Sequence, residues 1–376
     1  MKNLIFYKTT ADFDNTGEVL IYKSLLQFLR LYGDVIINDG VSIQPLFLNR
    51  IGVADNERIS RRTRIPFIIY ILLSGIRNLF SNRSVYFVTG VGEHALKGIK
   101  SVIKNIVAFA FTTLLRLCGV KVVRIGMSMR FGGRLEQISE KILSFAFNYY
   151  YVRDSISFTY CHNAGIDKCQ LAPDLSWGYK IPTRLLKNER DGNRTLVFSF
   201  RDFCESDMDN VAYKEKLTAK LTAIIPILAH KYKILFTHQC NEDFVYMKYL
   251  YERLSATDNV TIVDELITLD NGYEYYGQTV MTFSNRLHVM LLAYKFGSPT
   301  VCITDVKKHR KITGIFHDNS LDNVLVDINQ SDNNILTAIN NLLGERDLVE
   351  SRIRECENSN YGKLSDIFER IFEKKP

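Results

Sequence analysis

"TVMTFSNRLHVMLLAYKFGSPTVCIT", residues 279–304, reads in order as strand, helix start, apolar helical run, stop and strand. Residues 279–283 are β-rich and apolar. Ser284 and Asn285 are good N-cap types, and the run 287–296 is closed by Gly297 with Pro299 beyond it. A strand, a helix and a second strand at 300–304 predict a βαβ unit around a parallel sheet. Arg286 and His288 then stand in the first helical turn. Unpaired N–H groups and the positive dipole end favour an anion there, and a guanidinium adds charge-assisted hydrogen bonds to carboxylate or phosphate. The competing reading is a salt bridge from Arg286 to a nearby Asp, with His288 packed.

Outward from this unit the same rhythm covers most of the chain. In the second half, strands are expected at 195–200, 233–237 and 260–263, with helices at 213–230 and 242–254. In the first half, strands at 3–7, 85–89, 121–125 and 149–152 alternate with helices at 18–31, 97–117 and 135–147. Residues 177–194, WGYKIPTRLLKNERDGNR, break the pattern with Pro182, Gly192 and many charges, and suggest a linker. The tail, 333–375, reads as one or two amphipathic helices. These features predict an α/β protein of two Rossmann-like domains facing a cleft, residues 1–180 and 181–376, with ligands at the carboxyl ends of the strands.

The 376 residues, 46% hydrophobic and 24% charged, supply two cores of ordinary size. A net charge of +7 suits an anionic small molecule, an acidic glycan, an anionic membrane surface or nucleic acid, and does not choose among them. Seven cysteines without a CxxC pair read as reduced thiols in a cytoplasmic protein, with no zinc site. The start, MKNLIFYKTTADFD, is expected to be a first strand and not a signal peptide. The apolar runs 65–76 and 106–115 fall short of the roughly 20 residues that span a bilayer. Buried core helices are the favoured reading, with interfacial membrane contact as the alternative, since Arg61, Arg62 and Arg64 precede the first run.

Gly90-Val91-Gly92-Glu93-His94-Ala95 matches the dinucleotide fingerprint G-x-G-x-x-A. The acid needed about 20 residues later for a ribose hydroxyl is missing. No Asp or Glu occurs from His94 to Arg134, where Lys97, Lys100, Lys104 and Arg116 are among the cations. A tight turn with Glu93 or His94 touching a ligand is therefore expected in place of NAD binding. No P-loop and no metal-ligand set is present. At strand ends, Arg201 follows LVFSF, and Arg153 follows YYYV beside Asp154, where an internal ion pair competes with an anion site. The basic run Lys307, Lys308, His309, Arg310 and Lys311 follows strand 300–304, and a solvated loop is its ordinary explanation.

Arg286-Leu287-His288 with AYKFGSPTV behind it, the basic run 307–311, VRDSISFTYCHNAGI, APD at 172–174 and SFR ending at Arg201 together resemble the polysaccharide pyruvyl transferases. The sequence DNTGEVL sits where that family often has an Asn-x-Gly-Asp element, with Glu18 in place of the Asp. The resemblance implies a GT-B-like fold and transfer of a pyruvyl group from phosphoenolpyruvate to a sugar as a ketal, for a cell-surface polysaccharide or its lipid-linked precursor. It implies Arg286, His288 and Arg201 as phosphoenolpyruvate ligands, with Lys308 and Lys311 as further donor-side candidates; an imidazole that titrates near neutral pH suits His288 as the acid or as a phosphate ligand. Asp14, Glu18, Glu93 and His94 are the candidates for the acceptor sugar. Phosphoenolpyruvate is then a co-substrate, with no cofactor or metal and no nucleic-acid partner. The expected location is cytoplasmic, with peripheral contact at the inner face of the plasma membrane. A GT-B glycosyltransferase using a nucleotide sugar is the alternative, because fold does not fix function.

Overall fold

In the computed structural model, residues 2–9, 15–40, 45–81, 83–185, 194–204 and 209–372 are described. The protein is α/β, with two wholly parallel sheets. Contacts divide it into two compact units. The first is Met1–Phe13, Ile21–Tyr179 and Ser359–Pro376; the second is Asp14–Leu20 and Lys180–Asn358. Where the sequence suggests one cut near residue 180, two short segments, 14–20 and 359–376, exchange sides.

The strands of the first sheet are β1 (Asn3–Tyr7), β2 (Gly33–Ile37), β3 (Val85–Thr89), β4 (Gly92–Leu96), β5 (Val120–Phe131), β6 (Tyr149–Val152) and β7 (Cys169–Leu171). They lie in the order β2-β1-β3-β5-β6-β7, with β4 beside β5. The helices in this part of the chain are α1 (Thr16–Tyr32), α2 (Pro45–Arg50), α3 (Ile59–Arg62), α4 (Phe67–Asn78), α5 (Gly98–Leu117), α6 (Arg134–Ser144) and α7 (Ser155–Asn163). The first turn of α1 belongs to the second unit. β1 is buried along its whole length, as a central parallel strand covered on both faces should be.

The expected ligand-bearing turn at Gly90 to Ala95 takes another form. β3 pairs with the first part of β5 and β4 with the last part, so the two run in succession along one neighbour. Gly90 at φ +93° makes the jog between them, and a Cβ there would come within 2.8 Å of the Arg124 Cγ. Glu93 is exposed, while His94, one residue on, is part-buried.

The expected core helices reach the core through Phe67, Ile71 and Leu115, but also turn a set of aliphatic residues outward. On α5 the buried positions include Asn105 and Thr112, while Ile99, Ile103, Ile106, Leu114 and Leu117 are exposed. On α6, Glu136, Ser139, Glu140 and Ser144 are buried, while Leu135, Ile138, Ile142 and the following Phe145 are exposed. α4 does bury Phe67 and Ile71 in the core, with Ser74 and Gly75, while Ile69, Leu73 and Ile76 face outward. The apolar stretch that looked too short in sequence is part of a 20-residue helix, α5, whose length and composition suffice to cross a membrane.

Inside, the polar faces are satisfied. Asn105 Nδ2 donates to Ser139 Oγ at 3.1 Å and to Glu140 Oε2 at 3.0 Å. Glu140 Oε1 also accepts from Tyr150 at 2.9 Å and pairs with Arg124, whose guanidinium lies 4.3 Å from the Phe147 ring centre. The APD and VRDS segments lock together as well. Arg153 Nη1 meets Asp174 at 3.2 Å, its Nε donates to Ser128 at 2.8 Å, and Asp154 caps α7 through Ser157 N at 2.7 Å. Arg153 is thus a buried structural ion pair, with Asp174 and not its neighbour as partner.

The second sheet comprises β8 (Thr195–Ser199), β9 (Lys233–Phe236), β10 (Val260–Ile262), β11 (Met281–Ser284), β12 (Thr300–Thr304) and β13 (Leu325–Asp327). Their order is β10-β9-β8-β11-β12-β13. Helices α8 (Asn210–Ala229), α9 (Asn241–Arg253), α10 (Gly272–Tyr276), α11 (Leu287–Lys295), α12 (Arg310–Asp318) and α13 (Asp332–Gly344) connect and follow these strands. The tail ends in α14 (Arg346–Phe372), which passes from the second unit into the first at residue 359.

Candidate functional site

Four adjacent parallel strands, β9, β8, β11 and β12, bring their carboxyl ends to one edge of the second sheet, where ligands of open α/β sheets bind. The chain leaving that edge carries Arg201, residues 237–243, residues 285–288 and residues 305–309. Helix α11 begins here, but neither Ser284 nor Asn285 caps it. Arg286 occupies the N-cap position with extended backbone, φ −119° and ψ 121°, and provides no side-chain cap. Ser284 Oγ donates to Ser199 O at 2.5 Å and accepts from Arg286 N at 3.0 Å.

Asn285 is used as a clamp between strands. Its Oδ1 accepts from Arg201 N at 2.9 Å, and its Nδ2 donates to Arg201 O at 2.8 Å and to the Tyr213 hydroxyl at 2.9 Å. The Tyr213 hydroxyl meets Thr304 Oγ1 at 3.0 Å, which meets His309 Nδ1 at 2.8 Å. The ends of β8, β11 and β12 are thereby tied through a buried polar chain. His309, expected in a solvated basic loop, is fully buried. Lys307, Lys308 and Arg310 are exposed as that reading expects, and the Lys311 side chain lies outside the described residues.

Arg286 pairs with Asp243, the third residue of α9, whose side chain is buried. The competing structural reading of Arg286 is therefore realised, and Arg201 lies within the field of that pair. Burial first, and then the Arg286 charge, hold the Arg201 guanidinium below its ordinary value, with Asp243 opposing. Burial raises the Asp243 carboxyl, against the pull of Arg286 and Arg201. Arg201 Nη2 donates to Cys204 O at 3.0 Å and the guanidinium lies 4.1 Å from the Phe203 ring centre. Its Nε is buried with no partner among the described residues. One carboxylate, paired with Arg286, thus stands near two guanidiniums, which leaves an excess positive charge beside the uncapped start of α11.

His288 is half-buried in the first turn of α11, and the N-terminal element reaches it. A Cβ on Gly17 would come to 2.6 Å from His288 Cβ and 2.9 Å from its Nδ1. Gly17 is held there because Thr16 N donates to Gln239 O at 2.9 Å and Thr16 Oγ1 to Ile267 O at 2.8 Å, while Asn15 bridges Cys240. Asn15 Oδ1 in turn accepts from Gly17 N at 3.0 Å. Glu18, assigned to an acceptor side in the first half, belongs by contacts to the second unit with His288. Asp14 lies outside the described residues.

Glu93 and His94 fall in the first unit. Burial, and then the Arg124 charge, depress the His94 imidazole, with Glu140 opposing. A groove of about 700 Å3 along α8 and α9, lined by Asp202, Phe203, Lys214, Tyr249 and Arg253, includes none of the candidate site residues.

Sequence reasoning missed Asp243, Gly17 and the buried His309. In THQCNED the acid follows a parallel strand in the first turn of a helix, the placement that also marks Arg286 and His288. That shared placement was the available signal. Gly17 carried none beyond its place in DNTGE.

Two parallel Rossmann-like sheets, with cations gathered at the carboxyl edge of the second, define a GT-B-type α/β protein. The chain belongs to the polysaccharide pyruvyl transferase family, whose sequence model matches residues 15–305. No curated protein matches it by sequence. Among solved structures it is similar to a UDP-GlcNAc 2-epimerase from Neisseria meningitidis bound to UDP-GlcNAc, at 12% identity and TM-score 0.59, with 100% of each chain covered. A glycosyltransferase from Rickettsia africae is similar at 11% identity and TM-score 0.60, again over 100% of both chains. An O-GlcNAc transferase from Thermobaculum terrenum gives 12% identity and TM-score 0.51, over 99% of this chain and 68% of that one. At such identities the likeness is one of fold.

Proposed function

We propose that the protein transfers a pyruvyl group from phosphoenolpyruvate onto two hydroxyls of a sugar, in a cell-surface polysaccharide or its lipid-linked precursor. The observation that carries this reading is the gathering of two guanidiniums at the ends of the paired strands β8 and β11, Arg286 in an ion pair with Asp243 and Arg201 close enough to feel the Arg286 charge, beside His288 at the start of α11. Phosphoenolpyruvate presents a carboxylate and a phosphate, and two guanidiniums with a helix mouth are suited to hold both.

The chemistry needs one acid and firm anion contacts. A proton added to the methylene carbon turns the enol into a methyl group and leaves an oxocarbenium-like centre at C2. One sugar hydroxyl adds there and loses its proton; phosphate then departs with the C2–O electron pair. The second hydroxyl adds to the renewed cation and loses its proton, closing the ketal. Imidazoles titrate near neutral pH, so His288 is assigned as the acid, with Arg286 and Arg201 as clamps. Lys308 and Lys311 are further candidates for donor-side cations, and Glu18, in the same unit as His288, for a hydroxyl binder.

The test is phosphate release and a mass gain on nucleotide-linked or lipid-linked hexoses incubated with the protein and phosphoenolpyruvate. His288→Ala and Arg201→Ala should each lower turnover by at least about a hundredfold. Tight UDP or GDP binding with no response to phosphoenolpyruvate would instead support the nucleotide-sugar alternative.

A further inference from the structure

We infer that the first unit docks on an anionic lipid bilayer through the outward faces of α4, α5 and α6, lying in the surface without crossing it. The acidic and uncharged polar residues of α5 and α6 lie largely inward, and α4 beside them keeps Phe67 and Ile71 in the core but exposes Ile69, Leu73 and Ile76. A helix on a sheet ordinarily turns its apolar stripe to the core. Here α5 and α6 turn Asn105, Ser139 and Glu140 inward and aliphatic residues outward. α5 packs on α6, α4 packs on α5, and all three pack on β5, so the stripes are neighbours on one side of the sheet. Phe80, just after α4, is 98% exposed at its end. A patch of this extent on a water-facing surface marks an interaction site.

Charge selects the occupant. The exposed charges on the three helices, Arg77, Lys100, Lys104, Arg116, Arg134 and Lys141, are all positive. Their only acids, Glu136 and Glu140, are buried. A second copy docking face to face would oppose like charges, whereas apolar stripes rimmed by lysine and arginine match an anionic bilayer interface. α5 is apolar enough to span, with mean hydropathy 1.4, but only 17% of that stretch is buried, and the buried part includes Asn105. Asn105 donates to Ser139 and to Glu140 inside the unit. Withdrawing α5 to span the bilayer would strip Glu140 of that donor, so the helix stays on the sheet and immerses only its outer face.

Vesicle flotation of the full chain tests this without any substrate, and so independently of the pyruvyl reading. The protein should float with phosphatidylcholine vesicles containing phosphatidylglycerol, less with phosphatidylcholine alone, and less as salt rises. Ile106→Glu with Ile138→Glu, at positions 59% and 47% exposed, should cut the bound fraction at least about tenfold with unchanged thermal unfolding. Lys100→Glu with Lys104→Glu should cut binding to the anionic vesicles by about tenfold or more. Pyruvyl transfer to a water-soluble acceptor should stay at wild-type rate in both. Failure to float with either vesicle, or flotation of the variants equal to wild type, would overturn the proposal. So would a dimer that Ile106→Glu dissociates, which would make a second copy the occupant.

Discussion

At Arg286 one guanidinium both neutralises Asp243 and, in the proposed reaction, holds substrate. The two partners are not symmetric. Burial alone pushes the Asp243 carboxyl up, so its ionised form is held at a cost that the arginines only partly offset. Arg286→Ala leaves that carboxylate buried without its partner, and should lower stability by about 3 kcal/mol as well as abolish turnover. Asp243→Asn removes the costly charge but leaves Arg286 and Arg201 without a carboxylate, and should lower Tm while tightening phosphate binding, read as a larger phosphate-induced rise in Tm. The pH dependence follows from the same direction. With the folded pKa above the ordinary 3.8, Asp243 contributes most to stability below that value, and its contribution is lost as pH rises through the folded pKa. Thermal melts across the acidic range should show this slope in the wild type and not in Asp243→Asn. Arg286 and His288 could be read from sequence because they interrupt an apolar strand-to-helix passage. Asp243 shares that strand-to-helix placement, but its partner, 43 positions away, is not written in its local sequence.

Strands such as β1, β8 and β12 announce themselves as short apolar runs, and each was located within a residue or two. What local pattern does not encode is the side to which a stripe faces. The spacing of Ile99, Ile103 and Ile106 is the same whether the stripe meets a sheet or a membrane. Only the partners of Asn105 and Glu140, on other elements, reveal that the polar side is inside. Glu140→Ala should therefore behave as a core mutation despite replacing a charged helical residue. It leaves Arg124 buried beside Tyr150 without its carboxylate, and should cost about 3–5 kcal/mol, measured by urea unfolding. β4 was missed because Gly90 and Gly92 resemble a turn, whereas the neighbouring β5 is long enough to pair with two strands in succession. The first turn of α1 gives a second element-scale outcome. Gly17→Ala in an exposed helix would be neutral or stabilising. Here the added methyl would meet His288 at 2.6 Å, so turnover should drop at least about tenfold, with little change in far-UV circular dichroism.

The chain does not divide into two consecutive halves, and its ends show why. Residues 14–20, early in the sequence, complete the second unit at His288, and residues 359–372 complete the first. In the first unit Phe368 is fully buried and stacks on Phe28 with ring centres 4.6 Å apart, while Phe372 meets Tyr86 at 4.7 Å. Asn3 Nδ2 donates to Phe372 O at 2.9 Å, closing the contact between the two ends of the chain. Hydrophobic periodicity can show that 346–372 is a helix, but not that its last turns serve a core begun at residue 3. A cut at residue 180 therefore removes part of each core. Residues 1–179 made alone should lack cooperative unfolding, because Phe28 and Tyr86 lose the aromatic cover of α14, and supplying 359–376 through a fusion should restore it. In the full chain, Phe368→Ala opens a cavity worth about 3–5 kcal/mol. Hydrogen exchange gives a local measure of which unit feels that loss. The β1 and β3 amides should exchange faster in Phe368→Ala, while those of β11 and β12 keep wild-type protection, because Phe368 stacks in the first unit's aromatic cluster with Phe28 and Phe372. Equal acceleration in both sheets would show instead that the two units unfold as one.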